Sequence, residues 1–304
     1  MITPNSLLKG DRIGLISPSS PTIGEKVEKS ISIIKELGFI PILGESCYVA
    51  EDYLSGSDEI RAHDINKMFN DESIKGIWCL RGGYGTPRIL DLLDYQMIKA
   101  NPKVFIGYSD ITALHIAFNQ ICNLITYHGP MVSTELINEF DEFSIDNILN
   151  HISGKIKDDF IINPLGEDLI FLNDLNGKGK LVGGNLSLIA STIGTEYEVD
   201  TRGKILFLED VDEPPYRIDR MLSQLRLSGK LNDAAGFLIG DWNNCVSQEG
   251  YSTRDTDFIL KEYLQKLEKP TVMNLKAGHC HPMITLAMGR EIEINGSKNT
   301  LKWT

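Results

Sequence analysis

Two rhythms of apolar residues alternate along the first half of the chain. Short apolar-rich runs at 11–17, 39–43, 74–80, 103–106 and 124–127 read as strands, the first of them buried. Pro41 places the second of them at a sheet edge or makes it the strand's start. Between the runs the spacing switches to that of helices. Val27, Ile31 and Ile34 repeat on one face as far as Gly38. Ser57 can cap a helix that carries Asp58 and Glu59 in its first turn and ends near Asn70. A short helix is expected near 87–93. Ile145, Ile148, Leu149 and Ile152 form a stripe stopped by Gly154. Strands alternating with helices at this spacing predict an open parallel α/β sheet of flavodoxin or Rossmann type over residues 1–160.

The pattern then breaks. Residues 161–180 are polar and turn-rich and read as an interdomain connection, a character that already begins at Lys155. A second domain is expected over 181–304, smaller and rich in strands. Its runs at 181–185, 204–208, 235–240, 271–275, 285–288, 291–294 and 300–303 alternate with a helix ending at Gly194, a helix with the stripe Ile218, Met221, Leu222 and Leu225, and another near 256–267.

Composition narrows the partners. A net charge of −12 argues against a nucleic acid, whose phosphates need a basic face. No apolar run is long enough for a membrane helix, and the first residues do not resemble a signal peptide. Five cysteines, odd in number and without a C-x-x-C pair, fit a reducing cytoplasm.

Chemistry concentrates where strands end. At Gly107-Tyr108-Ser109-Asp110 a strand stops and a helix begins. Such a turn exposes a serine hydroxyl and aims the helix's first N–H groups at whatever it attacks, although a helix N-cap gives the same pattern. Arg81-Gly82-Gly83-Tyr84-Gly85 follows the third strand; it is neither a Walker loop nor G-x-G-x-x-G, and its backbone could serve an oxyanion. Glu209 ends an otherwise uncharged run, so its carboxylate must be paired, solvated with Asp210, Asp212 and Glu213, or on a cation. No EF-hand spacing supports the cation. His279 lies in a polar loop; with His281 it forms an H-x-H pair that zinc would need a further ligand to use. A two-domain binding protein without catalysis would need only the glycine turn and the polar loops.

Assembled, these blocks resemble the LD-carboxypeptidases of serine peptidase family S66, which cleave murein peptides. The resemblance spans nearly the whole chain. It rests on Arg81 to Gly85, on residues 101–114 around Ser109, on His128-Gly129-Pro130, Gly183-Gly184-Asn185, residues 208–220 and Gly278-His279. It implies Ser109 as nucleophile, His279 as general base and Glu209 as the acid orienting it. The oxyanion hole would come from the backbone of Asp110 and of Gly82-Gly83. A β-rich second domain, a site between the domains, a homodimer and no metal or cofactor are further implications. Holding a substrate's free carboxylate calls for an arginine; Arg81, Arg217 and Arg220 are candidates by position, with Tyr84 beside the first. A sibling branch resembles the microcin C self-immunity peptidases, which cleave peptidyl- or aminoacyl-adenylates. Arg81 and Gly85 match the murein branch, while the run from His279 to Thr285 is closer to the sibling. In that branch an aromatic residue would stack on adenine, and Trp242 is the tryptophan in question.

Overall fold

The computed structural model describes residues 1–138, 141–155, 159–247 and 254–304. The chain forms two compact units, Met1–Lys157 with Thr285–Gly289, and Asp158–Ile284 with Arg290–Thr304.

The first unit runs β1 (Arg12–Ile16), α1 (Glu25–Glu36), β2 (Ile40–Leu43), α2 (Asp58–Asn70), β3 (Ile74–Cys79), α3 (Tyr95–Ala100), β4 (Val104–Gly107), α4 (Thr112–Gln120), β5 (Thr126–His128) and α5 (Glu142–Ile152). Neighbouring strands β2-β1-β3-β4-β5 are all parallel. In this order the connections reverse between β1 and β3, and the crevice at the carboxyl ends of strands flanking such a reversal is where open α/β sheets bind ligands. The turn after β1, the glycine loop after β3 and Ser109 after β4 all lie on that edge. Behind β4, Phe105 meets Phe118 of α4 edge-on with ring centres 5.0 Å apart, and Phe69 of α2 meets Phe118 at 5.4 Å. All three rings are fully buried, so the angle at which α4 leaves β4 is set by packing as well as by the turn.

Beyond β5 lies a strand from far along the chain. Leu286–Met288, β11 in chain order, pairs antiparallel with β5 and completes a six-stranded sheet. Thr285 N–H fastens it by donating to Asn147 Oδ1 of α5 at 2.8 Å. The sequence places this strand in the second domain; its three apolar residues carry no mark of the sheet they join.

The second unit contains β6 (Ile170–Phe171), β7 (Asn176–Asn185), α6 (Leu186–Thr192), β8 (Ile205–Val211), α7 (Pro215–Leu227), α8 (Lys230–Asp233), β9 (Gly236–Asn243), α9 (Thr256–Gln265), β10 (Thr271–Met273), β12 (Glu291–Asn295) and β13 (Thr300–Trp303). Its seven-stranded sheet has the order β13-β12-β7-β8-β9-β10-β6, with a parallel centre from β7 to β10 and antiparallel margins. The α7 stripe Ile218, Leu222 and Leu225 is fully buried.

Residues 161–180, expected as a connection, lie inside this unit. They supply β6 and the first half of β7. The misreading has a physical cause: Gly177 and Gly179 press so closely on Pro270 and on the backbone at Gly203 that no side chain fits, so the apolar signal of a strand is missing. Residues 156–158 of the stretch that begins at Lys155 are outside the described residues.

Candidate active site

In the first unit β4 ends at Gly107, and Ser109 opens a single 3₁₀ turn leading into α4. Tyr108 is fully extended, with φ −158° and ψ −170°, while Ser109 has φ 63°. A left-handed conformation on a non-glycine residue is strained and persists only when its surroundings hold it. Those surroundings are explicit. His115 Nε2 donates to the Gly107 carbonyl at 2.8 Å, and its Nδ1 accepts from Thr126 Oγ1 at 2.8 Å, the assignment a carbonyl acceptor dictates. Burial lowers the His115 pKa to about 4, so the ring stays neutral and keeps this pattern. Tyr108 Oη donates to Glu135 Oε1 at 2.7 Å, and Glu135 also accepts from Met131 N–H.

Asp110, next to the serine, joins three loops. Its Oδ2 accepts from Ser19 Oγ at 2.6 Å and from Thr86 N–H at 2.9 Å, and its carbonyl accepts from Thr86 Oγ1 at 2.5 Å. Burial pushes its carboxyl pKa up against these hydrogen bonds. The glycine loop is laid directly against the serine: a Cβ on Gly82 would lie 3.1 Å from Ser109 Cβ. Gly83, at φ 115°, leaves room only for the Ser20 side chain, whose Oγ accepts from Tyr84 N–H at 3.3 Å. Ser20 N–H in turn donates to the Gly82 carbonyl at 3.3 Å. Arg81 Nη1 donates to the Pro21 carbonyl at 3.2 Å, so this arginine fastens the same turn. Tyr84 is exposed, its ring 5.9 Å from that of exposed Tyr53.

In the second unit Glu209 stands near the carboxyl end of β8 and is fully buried. Its Oε2 lies 2.6 Å from His279 Nδ1. A carboxylate can only accept, so Nδ1 carries the proton and Nε2 is the basic nitrogen. The two residues come from β8 and from the loop after β10. Gly278, at φ 103°, brings them together, because a Cβ there would strike Glu209 Oε2 at 2.6 Å. Asn243 Nδ2 donates to the His279 carbonyl at 2.8 Å and fixes the loop from the end of β9.

The neighbouring Asp210 is a useful contrast. It accepts four hydrogen bonds, from Asn185 Nδ2, Ser187 N–H, Ser187 Oγ and Val211 N–H, at 2.8–2.9 Å. Burial, reinforced by the charge of Glu209, raises its pKa to about 6. Asp210 is spent on structure, whereas Glu209 Oε1 has no hydrogen-bond partner among the described residues.

The remaining candidates divide. Arg217 and Arg220 are exposed on α7. Arg217 is occupied by Glu213 at 3.6 Å and by the Tyr216 hydroxyl at 3.2 Å. Arg220 lines an open hollow of about 790 Å³ on the outer side of that helix. Trp242 is half-buried in β9, paired in register with Asp210. Among the described residues no group of three or more His, Cys, Asp or Glu could hold a metal ion, and no helix is long and apolar enough to cross a membrane. Sequence reasoning overlooked Ser19, Ser20, Thr86 and Asn243. The two serines could have been found, since the turn at 17–21 follows β1 on the functional edge of the sheet.

Comparison with known proteins assigns both halves. Residues 13–129 match the LD-carboxypeptidase N-terminal domain of Peptidase_S66, and residues 178–294 match the LD-carboxypeptidase C-terminal domain. A Bacillus subtilis (strain 168) protein described as a probable murein peptide carboxypeptidase is 40% identical over 98% of this chain and 92% of its own. Among solved structures, the microcin C7 self-immunity protein MccF in its wild-type apo state superposes with a TM-score of 0.90 at 25% identity, covering 100% of this chain and 98% of that one. The muramoyltetrapeptide carboxypeptidase of Oxalobacter formigenes gives 0.82 at 26% identity, covering 96% and 97%.

Proposed function

Because the chain belongs to the LD-carboxypeptidase family, serine peptidase family S66, we propose that it hydrolyses the L,D-peptide bond before the terminal D-Ala of murein tetrapeptides through a Ser109–His279–Glu209 triad. The observation that carries this reading is the φ of 63° at Ser109, a strained conformation that serves an exposed nucleophile and that a helix cap does not require.

Ser109 Oγ attacks the scissile carbonyl while His279 Nε2 takes its proton. Glu209 holds the ring in the tautomer this needs and stabilises the imidazolium that forms. The tetrahedral oxyanion is received by backbone N–H groups of Asp110 and of Gly82-Gly83. The proton passes from His279 to the departing D-Ala, and water, activated by the same nitrogen, resolves the acyl-enzyme. An exopeptidase must also hold the free carboxylate of its substrate. Of the three candidate arginines, Arg81 stands in the unit that carries Ser109. The reading includes a cytoplasmic homodimer acting in cell-wall recycling without a cofactor.

A second reading is favoured by the likeness to MccF: hydrolysis of a peptidyl- or aminoacyl-adenylate by the same triad. One experiment separates the two. Wild type and Ser109→Ala are incubated with a murein tetrapeptide and, in parallel, with an aminoacyl sulfamoyl adenylate, and products are identified by mass spectrometry. Release of D-Ala by wild type alone is expected, with Ser109→Ala folded and slower by a factor of about 10⁴ or more. Cleavage of the adenylate alone would transfer the assignment to the second reading. Activity that survives in Ser109→Ala and vanishes with a chelator would overturn the serine mechanism.

A further inference from the structure

Arg61 is the one arginine on α2, and its side chain is fully buried. A buried guanidinium costs several kcal/mol in desolvation, and an apolar residue of similar volume often serves stability as well or better. What Arg61 does with its donors is therefore informative. Nη1 donates to the Pro18 carbonyl at 2.8 Å and to the Gly85 carbonyl at 2.9 Å. Nε donates to the Gly56 carbonyl at 3.4 Å, and Nη2 is paired with Asp58. Asp58 is in turn gripped by Arg88 through a bidentate pair, with contacts of 2.9–3.1 Å.

One nitrogen thus bridges the turn after β1 and the last residue of the glycine loop after β3. The fit is close, since a Cβ on Gly85 would come within 2.7 Å of that nitrogen. The loop has other fastenings: Ser20 holds Gly82 and Tyr84 through bonds of 3.3 Å, Arg81 reaches the Pro21 carbonyl at 3.2 Å, and Asp110 accepts from the backbone of Gly85 and Thr86. Arg61 adds the cationic tie that joins the Gly85 carbonyl to the Pro18 carbonyl through a single nitrogen.

We propose that Arg61 is a positioning residue for catalysis: by clamping Gly85 to the Pro18 turn it sets the backbone of Gly82 and Gly83 against Ser109, at the place where an oxyanion would be received. The inference rests on Ser109 being the nucleophile. Arg61 acts through the loop and touches no reacting atom. Misplacing an oxyanion donor by about 1 Å is a transition-state defect, so it lowers kcat and leaves KM nearly unchanged.

The test compares wild type, Arg61→Met, which approximates the volume without the donors, and Asp58→Asn, which keeps the guanidinium but weakens its anchor at a partly exposed site. Two rates are measured per folded molecule: phosphonylation of Ser109 by a fluorophosphonate probe, and D-Ala release with kcat and KM resolved. Arg61→Met should be slower in both by roughly 10–100-fold with KM within about twofold, and Asp58→Asn by a few-fold. Equal rates per folded molecule, with only a lowered Tm, would make Arg61 purely structural and overturn the proposal. If Arg61→Met does not fold, Asp58→Asn decides: an unchanged kcat overturns the proposal, and a lowered kcat at constant KM upholds it. If wild-type Ser109 is not labelled, the nucleophile assignment fails and this inference falls with it, an outcome distinct from labelling that Arg61 does not affect.

Discussion

The residues proposed as nucleophile and as base are held in place, each in its own unit, by different means. Around Ser109 the control is in the backbone: a strained turn, two loops drawn together by Asp110 and Ser20, and a neutral histidine on the carbonyl before the turn. Around His279 the control is in side chains: a short hydrogen bond to a carboxylate sealed in place by Gly278 and Gly240, with Asn243 holding the loop through the His279 carbonyl. A nucleophile needs an exact position relative to N–H groups, which loops supply. A base needs a tautomer and an orientation, which a single acceptor supplies. The halves should therefore fail differently when disturbed.

The largest effect is expected where one bond sets the tautomer of His279. Glu209→Gln preserves volume but offers His279 a group that can also donate, so the ring loses its enforced tautomer; kcat for D-Ala release should fall by roughly 10³–10⁴ with the fold intact. Retention of more than a tenth of the activity would show that this half is not held by that bond. A smaller loss is expected in the first unit, where support is shared. Gly83→Ala places a methyl group onto Ser20 in a left-handed conformation, and kcat should drop by about 10²–10³ with phosphonylation of Ser109 slowed in parallel. A drop in one rate without the other would separate the loop from the nucleophile.

The smallest effect is one of sign. The folded-state pKa of His115 is lowered from 6.5 to about 4, so its contribution to stability is complete above pH 6.5 and is lost as the pH falls toward 4. Asp210 is the reverse: its pKa is raised from 3.8 to about 6, so its contribution is complete below pH 3.8 and is lost as the pH rises through 6. Acidification between about pH 6 and 4 should remove the His115 contribution from the first unit and add the Asp210 contribution to the second, each by an amount on the order of 2–3 kcal/mol, with the raised pKa of Asp110 opposing His115 within the first unit. Hydrogen exchange resolved by peptide across that range measures this, and His115→Gln and Asp210→Asn should each flatten their own unit's slope.

Much of this was legible in the sequence, for particular reasons. Ser109 announces itself because a strand, a glycine and a helix meet within a few residues. Glu209 does so because it is the one charge ending an apolar run. The parallel sense of β1 to β5 follows from the alternation of strands and helices. Arg61 was invisible because its partners are backbone carbonyls, which any sequence provides, and its burial contradicts what a helix with Asp58 and Glu59 in its first turn suggests. Asp110 was read for its N–H alone, since nothing in sequence reveals that Ser19 and Thr86 converge on its carboxylate. Strand β7 was half hidden by glycines that earn their place through contact with distant backbone.

Strand β11 has a consequence for biosynthesis. A chain emerging from the ribosome completes β1 to β5 early, yet the edge of β5 is not covered until residues 286–288 appear, after nearly all of the second unit has been made. At typical elongation rates that delay is on the order of ten seconds. Throughout it the nascent first unit presents an unpaired strand edge, a template for wrong pairing. A segment made almost last, ahead of only β12 and β13, thus seals the first sheet, so completion of the edge comes close to completion of the enzyme.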